Sequence, residues 1–200
     1  MKNYFRMAIT GIILAGGESK RIGENKAFLS IKGKRIIERT TELFLDIFSR
    51  VIIVTNSPLE FQFLNIRIVT DVFPKMGSLG GIYTGLFYCP TEKAMFVACD
   101  MPFLNKKVIE YLISLCKGYD IIIPRTNRQY EALHAIYSKS CVPFIEKYLV
   151  SGEKKIINFL NFFPDSKIRG VSNEEIQKID PELKSFININ TKEDYNKYKN

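Results

Sequence analysis

The chain has 200 residues, of which 46% are hydrophobic and 25% charged, and these fractions are typical of a globular protein with one well-developed core. No apolar stretch reaches the roughly 18 residues that a membrane-spanning helix needs, and the N-terminus lacks the small-residue cleavage site of a signal peptide. We therefore expect one cytoplasmic domain over residues 1–200 that binds no membrane. The net charge of +8 indicates an anionic ligand, and because no nucleic-acid recognition motif accompanies it, small phosphorylated ligands explain it most simply.

The first predicted element is a buried strand, the apolar run from Ile9 to Leu14, which ends in a glycine-containing loop. Gly16 and Gly17 carry no Cβ, so the backbone N–H groups there can approach an anion closely. Arg21 and Lys26 follow and supply positive charge for a polyphosphate. A polyphosphate-binding loop is favoured over the alternative, a tight turn with surface cations. The loop has neither the G-x-x-x-x-G-K-[ST] pattern of a P-loop NTPase nor the G-x-G-x-x-G of a dinucleotide-binding domain.

Strands and helices alternate after this loop. The apolar patterns predict strands at residues 50–56, 66–71, 94–102, 119–124, 132–137 and 167–171. They predict helices at residues 36–48, 83–88, 108–116, 142–149 and 151–164, a last helix from Lys192, and a second glycine-rich loop at residues 73–82. Such alternation implies right-handed crossovers, and therefore an α/β fold with a mostly parallel sheet and helices on both faces.

Polar residues and glycine loops occur where the predicted strands end. These positions are Gly16 and Gly17, Asn56, Asp71, the Gly80-Gly81 loop and Asp100. In open parallel sheets, ligands bind beyond the carboxyl ends of the strands. We therefore expect these residues to meet at one rim of the sheet and to form the functional site.

The first loop resembles a known signature. Leu14-Ala15-Gly16-Gly17-Glu18-Ser19-Lys20-Arg21-Ile22-Gly23, followed by Lys26, is similar to the L-A-G-G-x-S-x-R-M-G-x-x-K of sugar-phosphate-type nucleotidyltransferases, with Ile22 at the usual Met. Within them it most resembles the molybdenum cofactor guanylyltransferase (MobA-like) family. The resemblance implies a three-layer Rossmann-like fold and transfer of GMP from Mg-GTP to molybdopterin, with release of pyrophosphate. It also implies GTP and molybdopterin as the small-molecule partners.

The resemblance assigns roles to particular residues. Lys26 and Arg21 would stabilise the triphosphate and the charge that builds on pyrophosphate. Asp100 stands in the family's C-D-x-P-F/Y context for the metal aspartate, and Mg²⁺ needs only one or two protein carboxylates. These three are the predicted catalytic residues, with Asp100 as the Mg²⁺ ligand. The implied nucleotide-binding residues are Leu14, Ala15, Gly16, Gly17, Lys26, Asp71, Gly80, Gly81 and Asp100.

The C-terminal segment Phe186-Ile187-Asn188-Ile189-Asn190-Thr191 resembles the family's F-x-N-x-N-T tail, which implies that Asn188 and Asn190 bind the acceptor. A strand followed by a helix cap at Thr191 is the structural alternative. The sequence offers no catalytic triad, and its one histidine, His134, is more typical of a core or polar-face residue. The acceptor phosphomonoester has its second pKa near ~6, so it needs no general base. No role is assigned to Phe159, Phe162 and Phe163.

Two other functions stay open at this stage. A related nucleotidyltransferase could use another NTP such as CTP, or another phosphorylated acceptor, because the first loop does not select the base. A non-catalytic nucleotide-binding or nucleic-acid-binding module could instead use the basic face. The strand-end aspartates, Asp71 and Asp100, could likewise serve only to begin a turn or cap a helix. For the enzyme, we also expect transient contacts with other cofactor-biosynthesis or acceptor proteins.

Overall fold

The computed structural model describes residues 9–16, 25–126 and 129–199. The strands in these ranges are β1 (Ile9–Leu14), β2 (Ser30–Ile31), β3 (Lys34–Arg35), β4 (Val51–Val54), β5 (Arg67–Val69), β6 (Lys93–Ala98), β7 (Ile121–Thr126), β8 (Gln129–Tyr130), β9 (His134–Ser138) and β10 (Ile168–Val171). The α-helices are α1 (Ile36–Ile47), α2 (Gly77–Tyr88), α3 (Lys106–Ser114), α4 (Val142–Val150), α5 (Ile156–Phe162), α6 (Asn173–Gln177) and α7 (Lys192–Tyr198). None of these helices is long and apolar enough to cross a membrane.

The main sheet has the strand order β10-β7-β9-β6-β1-β4-β5, with β8 added beside β7. Strands β6, β1, β4 and β5 run parallel to one another, whereas β9 is antiparallel to both of its neighbours, β6 and β7. Leu14 lies opposite both Val54 and Ala98, so three parallel strands end at the same level. The loops that follow them therefore leave the sheet at one edge.

Alternation along the central strands divides the core into two layers. In β1, Ile13 faces a cluster that contains α1, α3 and α6, and Ile12 faces a cluster that contains α2, α4 and α5. Both isoleucines are fully buried, as expected for a parallel sheet covered on both faces. The predicted α/β class, with a mostly parallel sheet between two helical layers, is confirmed.

The second glycine-rich loop was predicted to extend to residue 82, and this prediction is wrong because α2 already begins at Gly77. Interior glycines cost a helix roughly 1 kcal/mol each, which is why the sequence favours a loop. Packing overrides that cost. A Cβ added at Gly81 would lie 3.3 Å from Leu14 Cδ2, and one at Gly85 would lie 2.5 Å from Phe96 Cε1. The glycines let α2 approach the sheet closely.

The structural alternative for the C-terminal segment, a strand that ends at Asn188, does not form. Residues 184–186 form a 3-10 helix and residues 187–190 pair with no strand of the described chain. The last helix does begin at Lys192, and its cap is the predicted one. The Thr191 hydroxyl accepts a hydrogen bond from the Asp194 N–H at 3.1 Å, and the Asp194 carboxylate accepts one from the Thr191 N–H at 2.8 Å.

Candidate active site

A pocket of about 570 Å³ opens at the edge where β1, β4 and β6 end. All five of the predicted strand-end positions contribute to its lining, which consists of Leu14, Gly16, Lys26, Val54, Asn56, Asp71, Lys75, Gly77, Ser78, Gly81, Ala98, Cys99, Asp100 and Leu133. Ala15 is buried beside it, where its carbonyl accepts a hydrogen bond from the Thr55 hydroxyl at 2.9 Å. Gly80 is buried inside α2 and does not line the pocket. Gly17 and Arg21 lie outside the described residues.

Lys26 and Asp100, which are 74 positions apart in the chain, follow the neighbouring strands β1 and β6 and meet in this pocket. Asn25 caps a short 3-10 helix, Lys26–Phe28, and so fixes the backbone from which the lysine extends. The Lys26 Nζ lies 3.3 Å from Asp100 Oδ2, and each side chain is about one-fifth exposed, at 19% and 20%. The lysine also donates a hydrogen bond to Asn190 Oδ1 at 2.7 Å. The two residues on which phosphoryl chemistry would depend are therefore in direct contact.

The second carboxylate oxygen of Asp100 is suited to a metal ion. Asp100 Oδ1 is buried and has no hydrogen-bond partner among the described residues. The same ranges contain no cluster of three or more side chains that could hold a metal by themselves. A single carboxylate is enough for Mg²⁺, which keeps several waters and takes its other ligands from substrate phosphates. The residues present fit Mg²⁺ bound together with a nucleotide.

Cys99 lies beside Asp100 in the same pocket. Burial, and then the Asp100 charge, raises the pKa of Cys99 to about 12, so this thiol stays protonated.

Asp71 lies in the same pocket and is held by Asn56. The Asn56 Nδ2 donates a hydrogen bond to Asp71 Oδ2 at 3.0 Å, and Asp71 Oδ1 is a buried oxygen with no well-aligned partner in the described chain. Burial raises the pKa of Asp71, and the interactions with Asn56 and the Thr84 hydroxyl partly offset this. A Cβ at Gly16 would lie 3.9 Å from both Asn56 Nδ2 and Asp71 Oδ2, in ordinary van der Waals contact, so Gly16 lies directly beside this pair. The pair forms the polar end of the pocket.

A second pocket of about 340 Å³ shares Ala98, Asp100 and Leu133 with the first. Its other lining residues are Met101, Tyr130, Glu131, Ala132, Asn188 and Asn190. Both asparagines predicted to bind the acceptor are in this set. The two pockets therefore meet at Asp100, which is where a group from one would have to react with a group in the other.

The C-terminal segment is tied to the site through its backbone. The Ile189 N–H donates to the Asp100 carbonyl at 2.9 Å, and the Ile189 side chain is buried against Leu29, Ile31 and Ile36. The N–H of Asn190 donates to Asp194 Oδ2 at 3.0 Å. These contacts hold the Asn190 side chain against Lys26. Sequence reasoning missed this contact, because residues 164 positions apart share no local signal.

His134 lies in the core and lines neither pocket. It is fully buried, its ring centroid is 4.8 Å from that of Phe186, and no group of the described chain forms a well-aligned hydrogen bond with its nitrogens. Burial lowers the pKa of His134 to about 4, and the Ser185 backbone and Asp180 act weakly in the opposite direction. The three phenylalanines at 159, 162 and 163 also lie away from both pockets, since they pack on α4 through Tyr148 and Phe144.

Comparison with known proteins gives consistent matches. The family model described as a MobA-like NTP transferase domain matches residues 11–166. The molybdenum cofactor guanylyltransferase of Desulfosudis oleivorans is 39% identical over 192 residues, which are 95% of this chain and 94% of the relative. The probable molybdenum cofactor guanylyltransferase of Clostridium perfringens is 37% identical over 92% of each chain. The crystal structure of molybdopterin-guanine dinucleotide biosynthesis protein A from Archaeoglobus fulgidus superimposes with a TM-score of 0.83 and 27% identity, over 96% of this chain and 97% of that one.

Proposed function

The chain belongs to the MobA-like NTP transferase family, and on that premise we propose that it is a molybdenum cofactor guanylyltransferase, which transfers GMP from GTP to molybdopterin and releases pyrophosphate. The observation that carries the proposal is that two pockets meet at one aspartate. A transferase that joins two ligands needs two adjoining sites with its charge-stabilising groups at the border. Asp100 and Lys26 stand at that border.

The first pocket is the site proposed for GTP. Leu14 offers an apolar side chain, and Gly16 and Gly81 offer backbone without a side chain, against which a base and ribose can lie, and Asp71 offers acceptor oxygens. Lys26 supplies positive charge for the triphosphate. Arg21 and Gly17 belong to the same proposal on the strength of the sequence signature alone. The second pocket is the site proposed for molybdopterin, with Asn188 and Asn190 in its wall.

The chemistry proposed is an in-line displacement at the α-phosphorus of GTP. The acceptor phosphate is largely ionised at neutral pH because its second pKa is near ~6, so no side chain has to remove a proton. A bond forms between an acceptor phosphate oxygen and the α-phosphorus, and the bond to the bridging oxygen of pyrophosphate breaks. Lys26 is placed to offset the negative charge on the leaving pyrophosphate. Asp100, through its unpartnered Oδ1, would hold Mg²⁺, which when bound neutralises phosphate charge.

Positioning explains why these few groups suffice. Two reactants held in line avoid the entropic cost of a bimolecular encounter, which is worth roughly 7–11 kcal/mol in favourable cases. Asp100 is fixed by its position after β6 and by the Ile189 N–H on its carbonyl, and Lys26 is fixed by Asn190. The catalytic groups are thus pre-oriented before either substrate binds. Since GTP is made in the cytoplasm, we place the enzyme there, where acceptor proteins could take its product.

The test is a profile of the four NTPs with molybdopterin, measured as release of pyrophosphate in the presence of Mg²⁺. We expect release only when GTP and molybdopterin are both present, and loss of it when Mg²⁺ is chelated. A preference for CTP would contradict the assigned donor. No release with any NTP would contradict transferase activity altogether.

A further inference from the structure

Glu131 is a carboxylate in the second pocket for which the proposed reaction has no use. It lies between β8 and β9 and is half-buried. Its N–H donates to the Pro124 carbonyl at 2.9 Å, and its carbonyl accepts from the His134 N–H at 2.9 Å. The Thr126 hydroxyl, itself buried, donates to Glu131 Oε1. Both the backbone and the side chain of this glutamate are therefore held in one position at the pocket wall.

The carboxylate keeps unused acceptor capacity. Each carboxylate oxygen has two lone pairs, and among the described residues Thr126 is the one side chain that donates to Glu131. Oε1 can accept one more hydrogen bond and Oε2 can accept two. Two neighbouring N–H donors on one planar ligand match such an arrangement, because a carboxylate accepts parallel bonds from a pair of donors.

Charge also fixes which end of an acceptor can face Glu131. An anionic phosphate would be repelled by this carboxylate and attracted to the cationic Lys26, which lines the first pocket and donates a hydrogen bond to Asn190 in the wall of the second. The phosphate end of an acceptor therefore belongs beside Lys26, whose charge also offsets that of Asp100, whereas Glu131 is paired only with the neutral Thr126 among the described side chains. The opposite, uncharged end belongs beside Glu131, where Tyr130 adds an aromatic side chain to the wall.

We propose that Glu131 is the residue that recognises the pterin ring of the acceptor, by accepting hydrogen bonds from the N3–H and the C2 amino group of its 2-amino-4-oxo edge. This inference rests on the proposed function, since it takes a pterin phosphate as the acceptor. The edge presents two adjacent donors on one plane, which is what the carboxylate can accept. Glu131 acts in binding and orientation and touches none of the reacting atoms.

Recognition of the 2-amino-4-oxo edge can be tested with two stable probes that differ only at C2. Pterin (2-amino-4-oxopteridine) carries an amino group at C2, and lumazine (2,4-dioxopteridine) carries a carbonyl oxygen there. Fluorescence titrations are run with saturating Mg-GTP, because guanine has the same donor edge and would otherwise compete. We expect the wild-type protein to bind pterin at least about tenfold more tightly than lumazine, since lumazine would place an acceptor against a carboxylate.

Glu131→Gln should reverse this selectivity. The glutamine amide offers one acceptor and one donor, which matches the N3–H and the C2 oxygen of lumazine. We expect pterin binding to weaken at least about tenfold and lumazine binding to improve. Glu182→Gln, at an exposed carboxylate paired with Lys184, is the matched control and should change neither affinity. Thermal melting of each variant checks that the fold is kept.

Outcomes for this inference and for the proposed function are separable. If the wild-type protein prefers neither probe, or if Glu131→Gln leaves the ratio of the two affinities unchanged, Glu131 does not recognise the pterin edge. If turnover with GTP and molybdopterin persists in that case, the proposed function stands without this residue. In the full reaction, Glu131→Gln should raise the KM for molybdopterin at least about tenfold and leave the KM for GTP unchanged. An equal rise in both would overturn the assignment.

Discussion

The two pockets of this protein are built in different ways. The pocket proposed for GTP, called the GTP pocket below, is formed by the ends of parallel strands β1, β4 and β6, which the register of the sheet places at one level. The pocket proposed for the acceptor, called the acceptor pocket below, shares the end of β6 but is otherwise formed by the turn between β8 and β9 and by Asn188 and Asn190, which pair with no described strand. The first depends on regular structure and the second on individual hydrogen bonds. We therefore expect substitutions to act differently in the two, and the following predictions test that difference.

The largest effect is expected at the border that both pockets share. Asp100→Asn removes the charge proposed to hold Mg²⁺ and should lower the rate of pyrophosphate release about a thousandfold, which corresponds to several kcal/mol. The amide is nearly isosteric, so the melting temperature should change little. Asp46→Asn, at an exposed carboxylate paired with Lys106, is the control. Single-turnover measurements that found wild-type rates for Asp100→Asn would show that the two pockets do not share a catalytic group.

Lowering the pH should lower the stability of the folded protein through protonation of His134. This residue packs against Phe186, just before residues 188–190 of the acceptor pocket. The folded state holds the pKa of His134 at about 4, against about 6.5 unfolded. The unfolded chain therefore binds more protons below pH 6.5, and stability falls as the pH falls from 6.5 towards 4. By linkage the loss at pH 5 is about 2 kcal/mol.

Glu131 and Asp71 titrate with the opposite sign, since burial raises the pKa of both, so the contribution of His134 has to be isolated. His134→Gln supplies a neutral side chain of similar size. Chemical denaturation at pH 7 and pH 5 should show a smaller pH dependence in this variant than in the wild-type protein. Equal pH dependence in the two proteins would mean that His134 does not carry the effect.

The hydrogen bond between Lys26 and Asn190 joins the two pockets. Substitutions of these two residues should therefore be coupled, with an interaction free energy of about 1 kcal/mol in a double-mutant cycle. Lys26→Met and Asn190→Ala, with the double variant, form a cycle read in kcat/KM for each substrate. We expect Asn190→Ala to affect both substrates, because it loosens Lys26 in the GTP pocket while lining the acceptor pocket. Additive effects in the double variant would show that the two residues act independently.

The smallest effect is expected from Gly81→Ala in the GTP pocket. The added Cβ would lie 3.3 Å from Leu14 Cδ2, a contact that Leu14 can relieve by shifting into the pocket. We expect stability to change by less than about 1 kcal/mol, because alanine also favours the helix, and the KM for GTP to rise a few-fold. Gly85→Ala is the contrasting variant, since its Cβ would lie 2.5 Å from Phe96. It should cost about 1–3 kcal/mol of stability without a change in KM.

The parallel half of the protein could be predicted from its sequence, because buried strands have apolar runs and their ends are marked by Asn56, Asp71 and Asp100. The start of α2 at Gly77 could not, since its glycines lower helix propensity and only packing on the sheet accounts for them. Glu131 was missed for another reason. A lone glutamate carries no sequence signal, and it becomes a candidate only when Thr126 and the pocket are seen around it.

The hydrogen bond between Lys26 and Asn190 affects how the enzyme loses activity when it is denatured. It requires two segments 164 positions apart to be docked at once, and residues 187–190 of the later one belong to no strand of the described chain. Local opening of such a segment needs less free energy than global unfolding. Activity should therefore be lost at lower urea concentrations than the circular dichroism signal of the secondary structure. A protease should inactivate the enzyme by one cut near residue 187 while the sheet stays folded.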